Sequence, residues 1–212
     1  MRVVPTAWWY AGPLFVLAAL AIVVTPVLGM FIALGGLSVI AFFRDPDRSP
    51  PAEGVLAPAD GRVSFVRDDG DRVWVGIFMN VFDVHVNRSP VSGTIEAVTH
   101  RPGGHLPAFS KSSDRNERVR IELENTNGAY TVDLIAGTVA RRITPYVEVG
   151  SSVERGERIG HIAFGSRVDV RFPPAVPAEA ITVSTGDRLT AGETVIATEE
   201  TLPLGDDQSV EQ

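Results

Sequence analysis

Two ten-residue stretches decide how this chain folds: GSSVERGERI at residues 150–159 and GDRLTAGETV at residues 186–195. Both have the form Gly-x-x-apolar-x-x-Gly-x-x-apolar, and the second follows the first by 36 positions. Glycine permits the positive φ angles of tight turns, and the apolar residues between the glycines favour burial. The repeat therefore predicts two similar β-hairpin units that pack their apolar positions into one core.

This repeat resembles the hairpin units of biotinyl and lipoyl carrier domains, which implies a barrel-sandwich architecture. Carriers of that kind bear a modified lysine at the tip of a hairpin. Lys111 is the only lysine of the chain, and it does not lie in such a turn. We therefore predict the fold without the carrier function.

The region that follows Val55 is predicted to be built from strands. Short apolar runs alternate there with Gly, Pro and Asp, and several runs show the period-two alternation of a half-buried strand. The predicted strands are Arg62–Arg67, Arg72–Phe78, Val119–Leu123, Tyr130–Leu134 and Val168–Phe172. A short helix is predicted within Leu106–Asn116. The predicted fold class is mainly β, a barrel-sandwich-hybrid-like domain preceded by an apolar helical hairpin.

The apolar stretch Ala7–Phe43 carries no charged side chain and predicts that hairpin. Crossing about 30 Å of hydrocarbon takes about 20 apolar residues, so the stretch is long for one helix. Pro26 lies near its middle and marks the break between two helices. A cleaved signal peptide has an apolar region of only about 7–15 residues, which disfavours that alternative. A buried pair of core helices is the remaining alternative.

The residues that flank the apolar stretch predict its orientation. Trp8, Trp9 and Tyr10 lie at its start, where aromatic rings favour the headgroup layer. Arg2 precedes the stretch, and Arg44 follows it. By the positive-inside rule both ends of the hairpin are cytoplasmic, so the β domain lies on the cytoplasmic side of the cell membrane.

Composition excludes several function classes. The chain has no cysteine, so disulfides, thiolate nucleophiles and cysteine-based metal sites are ruled out. Its four histidines make a histidine-rich metal site an unfavoured interpretation, and we expect no metal. A formal net charge of −7, with no run of basic residues, argues against a nucleic-acid partner.

The pair Gly165–Ser166 has the chemistry for backbone self-cleavage. A serine hydroxyl can attack the carbonyl of the preceding residue, and glycine there leaves room for the attack. β-Elimination of the resulting ester and hydrolysis of the dehydroalanine leave a pyruvoyl group and release ammonia. An isolated Gly–Ser pair is usually an ordinary turn, and Gly150–Ser151 is a second example in this chain.

A series of motifs distinguishes Gly165–Ser166 from an ordinary turn. In chain order they are FFRDP (42–46), APADGRV (57–63), FDVHVNR (82–88), PVSG (90–93), NER (116–118), AGTVARRI (136–143) and FGSRVD (164–169). Together they resemble the short form of the phosphatidylserine decarboxylase family. The stretches FMNV (78–81) and SKSS (110–113) depart slightly from the family pattern, but neither contains a motif residue.

The resemblance implies a pyruvoyl-dependent carboxy-lyase, made as a proenzyme. It implies cleavage after Gly165, with a larger fragment 1–165 and a smaller fragment 166–212 that stay associated. Ser166 becomes the pyruvoyl cofactor, and His85 and Asp60 assist it. The pyruvoyl group forms a Schiff base with phosphatidylserine and yields phosphatidylethanolamine. His85 is also the leading candidate for protonating the product carbanion.

The remaining candidates are less specific. The lipid phosphate and carboxylate need cationic partners, and the arginines considered, without a ranking, are Arg118, Arg141, Arg142 and Arg167. The other three histidines receive minor roles. We expect His161 to be a solvated strand residue rather than a sensor of the cut. His105 is a candidate for the head group, and His100 is structural or exposed.

The predicted domains are a membrane-associated segment 1–44, a decarboxylase domain 45–200 and a disordered acidic tail 201–212. Three alternatives remain open at this point. The first is an archaetidylserine decarboxylase that makes archaetidylethanolamine, since the reacting head group is identical. The second is a pyruvoyl enzyme for a soluble amino acid, and the third is a non-enzymatic membrane-tethered carrier-like β module. A homo-oligomer is compatible with the sequence.

Overall fold

Strands account for most of the regular structure, as the alternating pattern predicts. The computed structural model describes residues 2–104, 115–137, 142–163 and 166–198. Several predictions fall outside these ranges: Gly165, Arg141, His105, Lys111, most of the helix within Leu106–Asn116, and the tail 201–212.

The described elements begin with an amino-terminal unit and continue as strands. The amino-terminal unit comprises β1 (Arg2–Val3), α1 (Ala7–Val24), α2 (Pro26–Phe42) and β2 (Arg44–Asp45). The strands that follow are β3 (Val55–Leu56), β4 (Gly61–Asp68), β5 (Val73–Met79), β6 (Val86–Arg88), β7 (Gly93–Arg101), β8 (Arg118–Asn125), β9 (Gly128–Ala136), β10 (Arg142–Pro145), β11 (Ser152–Val153), β12 (Arg158–Ala163), β13 (Ser166–Arg171), β14 (Arg188–Leu189) and β15 (Val195–Ala197). A short 3-10 helix spans Ala178–Ala180.

The largest sheet is antiparallel and has the strand order β11-β7-β8-β9-β13-β5-β4-β14. A three-stranded sheet, β10-β12-β6, and the pair β15-β3 complete the β domain. The five strands predicted from the sequence are confirmed as β4, β5, β8, β9 and β13. Each of them contributes apolar side chains to one buried core, which lies on one face of the large sheet.

Strand alternation orders the two faces of β13. Val168 and Val170 are fully buried in the core, so Ser166 projects to the same side. Arg167 and Asp169 project to the opposite side. The period-two pattern of the sequence thus places a serine hydroxyl inside and an ion pair on the other face.

The two glycine repeats adopt matching conformations and touch each other. Gly156 has a φ of 82° and Gly192 a φ of 73°, so both use the left-handed region that glycine tolerates best. A Cβ built on Gly192 lies 3.7 Å from the Gly156 Cα. Arg88 lies between the repeats and donates from Nη1 to the Gly156 carbonyl at 2.8 Å. The two repeats therefore form matching strand–turn–strand segments, but they are not β-hairpins. The two strands of each repeat pair with other strands: β11 with β7 and β12 with β6, and β14 with β4 and β15 with β3.

The amino-terminal hairpin packs through small residues. A Cβ on Gly29 lies 2.6 Å from the Ile22 backbone nitrogen, and a Cβ on Gly36 lies 2.8 Å from the Phe15 ring. The large apolar side chains instead point outward, as Leu20 does with 66% of its surface exposed. Small residues inside and large apolar residues outside are typical of helices surrounded by lipid. By length and composition, α1 is able to cross a membrane, whereas α2 is shorter.

Both ends of the hairpin return to the β domain. β1 pairs with β2, with Arg2 opposite Asp45. The hairpin base forms a second apolar cluster with the β domain, made of Val4, Ala7, Phe42, Phe43, Val84, Val86 and Ala163. The two ends of the hairpin therefore lie together at its base, which packs against the β domain.

The close approach at Gly29 yields a testable prediction. Gly29→Ala forces the two helix backbones apart and is expected to destabilise the hairpin by about 1–3 kcal/mol, the usual cost of overpacking. Gly35→Ala is the matched control, because a Cβ at Gly35 meets nothing within 4 Å. Titration with SDS in mixed micelles, followed by circular dichroism, measures the difference. Equal midpoints for the two variants would contradict the packing described here.

Candidate active site

Ser166 is fully buried at the first position of β13. It is paired with Met79 of β5 on one side and with Ala136 of β9 on the other. Its Oγ has no hydrogen-bond partner among the described residues. A buried hydroxyl without a partner is costly, and such groups are concentrated where chemistry needs them.

His85 is the second predicted residue, and its ring is 2% exposed. Its Nδ1 lies 2.9 Å from the Asp83 carbonyl oxygen. A carbonyl only accepts hydrogen bonds, so Nδ1 carries the proton and Nε2 carries the lone pair. Nε2 has no partner among the described residues. The ring therefore presents a basic nitrogen that no described residue binds.

Burial keeps this imidazole neutral. Desolvation lowers the pKa of His85 from 6.5 to about 4, although the Asp83 carbonyl and carboxylate act in the opposite direction. The Phe42 ring, at the end of α2, covers His85 with 4.4 Å between ring centroids. At neutral pH the residue is consequently a free base in an apolar setting.

Strand pairing brings His85 and Ser166 into one region. The His85 carbonyl accepts a hydrogen bond from the Ile162 amide at 3.1 Å, which continues the pairing of β6 with β12. β12 ends at Ala163, and β13 begins at Ser166. From the other side, Asn87 Nδ2 contacts the Sδ of Met79, the strand partner of Ser166, at 3.8 Å. The described hydrogen bonds do not join the His85 ring to Ser166.

Asp60 lies beside this region but binds other groups. Arg48 Nη2 is 2.9 Å from both of its carboxylate oxygens, and the Ala191 amide donates to Oδ1 at 2.8 Å. The preceding Pro58 carbonyl accepts from the Arg88 amide at 2.9 Å, so the Asp60 segment runs next to β6. Within the described residues, Asp60 has no hydrogen bond to His85.

Asp83 is a buried carboxylate that the sequence did not single out. Its Oδ2 accepts from the Asn80 amide at 2.8 Å, and its Oδ1 accepts from Arg188 Nη2 at 2.9 Å. Its carbonyl orients the His85 ring. Asp83 belongs to the motif FDVHVNR and lies two positions before His85. This position in the motif could have indicated its role. Asn87 of the same motif was missed as well.

The predicted arginines separate by position. Arg167 is buried and spans the Asp169 carboxylate, with Nε at 2.8 Å and Nη2 at 2.9 Å. Burial raises the pKa of Asp169 to about 6, although Arg167 lowers it. This pair occupies the face of β13 opposite Ser166. Arg118 begins β8 opposite Ile135, and Arg142 is exposed at the start of β10.

The expectation that His161 is solvated is wrong. The residue is 1% exposed, and its Nδ1 lies 2.8 Å from the Tyr146 hydroxyl. The hairpin base covers this side of β12, with the Phe43 ring 6.2 Å from the imidazole between centroids. Burial lowers the pKa of His161 to about 4. His100, which was predicted to be structural or exposed, is exposed. Its Nε2 lies 2.8 Å from Glu117 Oε1.

The two buried histidines predict acid sensitivity. Their folded pKa values lie below the unfolded value, so protonation favours the unfolded chain. The contribution of each neutral histidine to the free energy of unfolding is complete above pH 6.5 and declines as the pH falls towards 4. Between pH 7.5 and 5 each histidine should account for a loss of about 2 kcal/mol in unfolding free energy.

Urea unfolding in micelles at the two pH values checks this expectation. His161→Gln should reduce the loss, because glutamine does not titrate. The exposed His100 provides the control, and His100→Gln should leave the loss unchanged. An undiminished loss in His161→Gln would show that His161 is not buried in its neutral form.

Comparison with known proteins adds independent findings. The sequence model of the family described as phosphatidylserine decarboxylase matches residues 37–197. A protein of Halobacterium salinarum, provisionally named archaetidylserine decarboxylase proenzyme, is 53% identical over 195 residues, covering 91% of this chain and 97% of the relative. The phosphatidylserine decarboxylase proenzyme of Thermobifida fusca is 52% identical over 154 residues, covering 72% and 70%.

A third relative extends the pattern to another archaeon. A protein of Methanococcoides burtonii, also provisionally named archaetidylserine decarboxylase proenzyme, is 49% identical over 161 residues, covering 75% of this chain and 74% of the relative. The matched region begins within α2 and ends in β15, so it contains every residue of the site described above.

Proposed function

Because the chain belongs to the phosphatidylserine decarboxylase family, we propose that it is a lipid decarboxylase made as a self-cleaving proenzyme. The cut falls between Gly165 and Ser166, and Ser166 becomes the pyruvoyl group. The observation that carries this proposal is the buried, unpartnered Oγ of Ser166 at the start of β13. A small ketone fits the same position, because it replaces the hydroxyl and the amine without added bulk.

The first step is an acyl shift that needs a base. Ser166 Oγ forms a bond to the Gly165 carbonyl carbon, the C–N bond breaks, and the hydroxyl proton passes to the released amine. β-Elimination then removes the Cα proton of Ser166 and breaks its Cβ–O bond, so that Gly165 leaves as a carboxylate and a dehydroalanine forms. One water hydrolyses the imine tautomer of the dehydroalanine, which releases ammonia and leaves the ketone. We assign to His85 Nε2 the transfer of the hydroxyl proton from Ser166 to the amine. This nitrogen has no partner among the described residues, and the ring is neutral at pH 7.

Asp60 is assigned to the same site by the family resemblance, and its contacts define how it acts in this chain. Its carboxylate is held by Arg48 and the Ala191 amide. Arg48 and the Ala191 amide thereby hold residues 58–60 in place beside β6, where the Pro58 carbonyl accepts from the Arg88 amide. We propose that Asp60 supports the site by holding this segment in place, while the Asp83 carbonyl fixes the ring of His85.

The pyruvoyl group supplies an electron sink for the loss of carbon dioxide from the bound amino acid. The chain's own residues exclude water and manage protons around it. Phe42 covers His85, and the second apolar cluster seals the region towards the hairpin. We assign to His85 the return of a proton to the product carbon.

The two fragments should stay together after the cut. β13, β14 and β15 all belong to the small fragment 166–212, and each pairs with a strand of the large one. Val168, Val170 and Phe172 of the small fragment are fully buried in the common core. Cleavage breaks one peptide bond and leaves these ladders intact.

The substrate is proposed to be a phospholipid with a serine head group, in the membrane that surrounds the hairpin. The site lies against the hairpin base, through the contact of Phe42 with His85. A membrane-bound enzyme for a lipid needs this proximity, whereas an enzyme for a soluble amino acid does not. The positive-inside pattern favours the cytoplasmic side.

A specific observation favours the diether form of this substrate. The Halobacterium salinarum relative covers 91% of the chain, including most of the hairpin, and is provisionally named an archaetidylserine decarboxylase. The Thermobifida fusca relative covers 72%. Competition between diester and diether serine lipids in mixed vesicles tests this choice. Preferential consumption of the diether lipid supports it, and preferential consumption of the diester lipid contradicts it.

Self-cleavage is tested on a denaturing gel. The purified chain should give two fragments, the smaller one blocked to amino-terminal sequencing, and Ser166→Ala should give one intact band without decarboxylase activity. Ser151→Ala is the matched control, because Gly150–Ser151 is the other Gly–Ser pair of the turn-rich region, and it should cleave normally. Decarboxylation by the Ser166→Ala chain would refute the proposal.

The base role of His85 is tested by the rate of cleavage. His85→Ala should slow self-cleavage by at least about 100-fold, the lower range for the loss of a general base. His161→Gln, which alters a buried histidine of the same region, should slow it far less. A pulse-chase measurement of the uncut chain gives both rates. Normal processing of His85→Ala removes this residue from the base role.

A further inference from the structure

The turn that leads into His85 exposes an aromatic side chain. Phe82 is 81% exposed, and its neighbour Val81 is 52% exposed. Leaving a phenylalanine in water forfeits roughly 2 kcal/mol of burial free energy. The turn comprises residues 80–83 and joins β5 to the segment of the active-site histidine.

Hydrogen bonds hold this turn in its outward conformation. The Phe82 amide donates to Asn80 Oδ1 at 2.8 Å, and the Asp83 amide donates to the Asn80 carbonyl at 3.1 Å. The Asn80 amide donates to the Asp83 carboxylate at 2.8 Å. The exposure of Phe82 is therefore built into the turn and does not result from a loose loop.

The turn is tied to the end of the membrane hairpin. Arg44 lies two residues after the end of α2, and its guanidinium donates to the Phe82 carbonyl and, at 2.9 Å, to the Ala41 carbonyl. The exposed side chains of Val81 and Phe82 therefore belong to a turn that is bound to the end of the apolar hairpin. An exposed apolar tip beside an apolar hairpin has a lipid surface as its fitting occupant.

Cationic groups flank the apolar tip. Arg188 pairs with Asp83 at 2.9 Å, while 60% of its own side chain is exposed. Arg44 binds the Phe82 carbonyl of the same turn. Arginines beside an apolar tip can extend towards phosphate groups, and such contacts add attraction to a phospholipid surface. In a chain with a net charge of −7, this local pair is a distinguishing feature.

We propose that Val81 and Phe82 insert into the same leaflet that the hairpin enters, with Arg44 and Arg188 at the level of the phosphates. The turn leads directly to Asp83 and His85, so its insertion sets the depth of the active site relative to the lipid head groups. This inference deepens the proposed function and rests on it for the identity of the membrane substrate. The occupant is a phospholipid surface.

Insertion is measured without any enzymatic readout. The chain has no cysteine, so Phe82→Cys gives a unique site for an environment-sensitive NBD label. In vesicles of phosphatidylcholine and phosphatidylglycerol, the label should emit at shorter wavelength and be quenched by lipids with nitroxides near the head group. Asp71→Cys is the matched control, since it lies in the turn at the opposite end of β5.

The two labelled variants decide the inference. Quenching at residue 82, with none at residue 71, supports it. Equal, water-like emission at both sites overturns it, even if the enzyme is fully active. Conversely, failure of the unmodified protein to release carbon dioxide refutes the proposed function and leaves the labelling result for the turn valid.

A kinetic test separates insertion from a structural role. Phe82→Ser should raise the apparent KM for serine lipid in vesicles severalfold, with a smaller effect on kcat, because fewer molecules sit at the correct depth. Phe82→Leu, which keeps an apolar tip, should restore the KM. An equal loss of turnover on a short-chain monomeric serine lipid would show that Phe82 acts on the fold of the site, and would overturn the inference.

Discussion

The position of Ser166 depends on the pairing of β13 with a strand on each of its two edges. This strand is hydrogen-bonded to β5 on one edge and to β9 on the other, so its first residue has no freedom to reach water. Ser166 is consequently fixed inside the core, and its hydroxyl has no hydrogen-bond partner in the part of the chain that the structure describes. In the proposed cleavage, the same two ladders that bury the serine are the ones that hold the small fragment.

The apolar hairpin is in direct contact with the candidate active site. Phe42 ends α2 and lies against the ring of His85, and Phe43 approaches His161. Both imidazoles are neutral because the hairpin base and the β domain exclude water from them. The packing of the apolar hairpin against the β domain thus also creates the neutral state of His85, which is the proposed base. Removal of the hairpin would therefore alter the site as well as the location of the protein.

Local patterns of the sequence predicted much of the fold. Period-two alternation located the main strands, the glycine repeat located two matching strand–turn–strand segments, and the uncharged stretch ending at Phe43 located the helical hairpin. These features depend on neighbouring residues only, so one sequence suffices for them. The strand order of the large sheet depends on long-range pairing, which no local pattern contains.

The motifs indicated candidate residues for the site but not the contacts that these residues make. Ser166, His85 and Asp60 were indicated by motifs, whereas the binding of Asp60 to Arg48 arises from segments brought together by folding. The burial of His161 was missed because strand alternation alone does not reveal which face the hairpin base covers. Asp83 was missed because its carboxylate acts through a turn, and its effect on His85 comes from its carbonyl.

The proposed conversion of Ser166 to a pyruvoyl group is tested by intact mass spectrometry of the small fragment. We expect a polypeptide of residues 166–212 that is lighter than the serine-initiated peptide by one molecule of ammonia. Mild borohydride treatment should then add two hydrogens to its terminal ketone. A continuous chain through residues 165 and 166, with the mass of the unmodified sequence in active protein, would contradict the account.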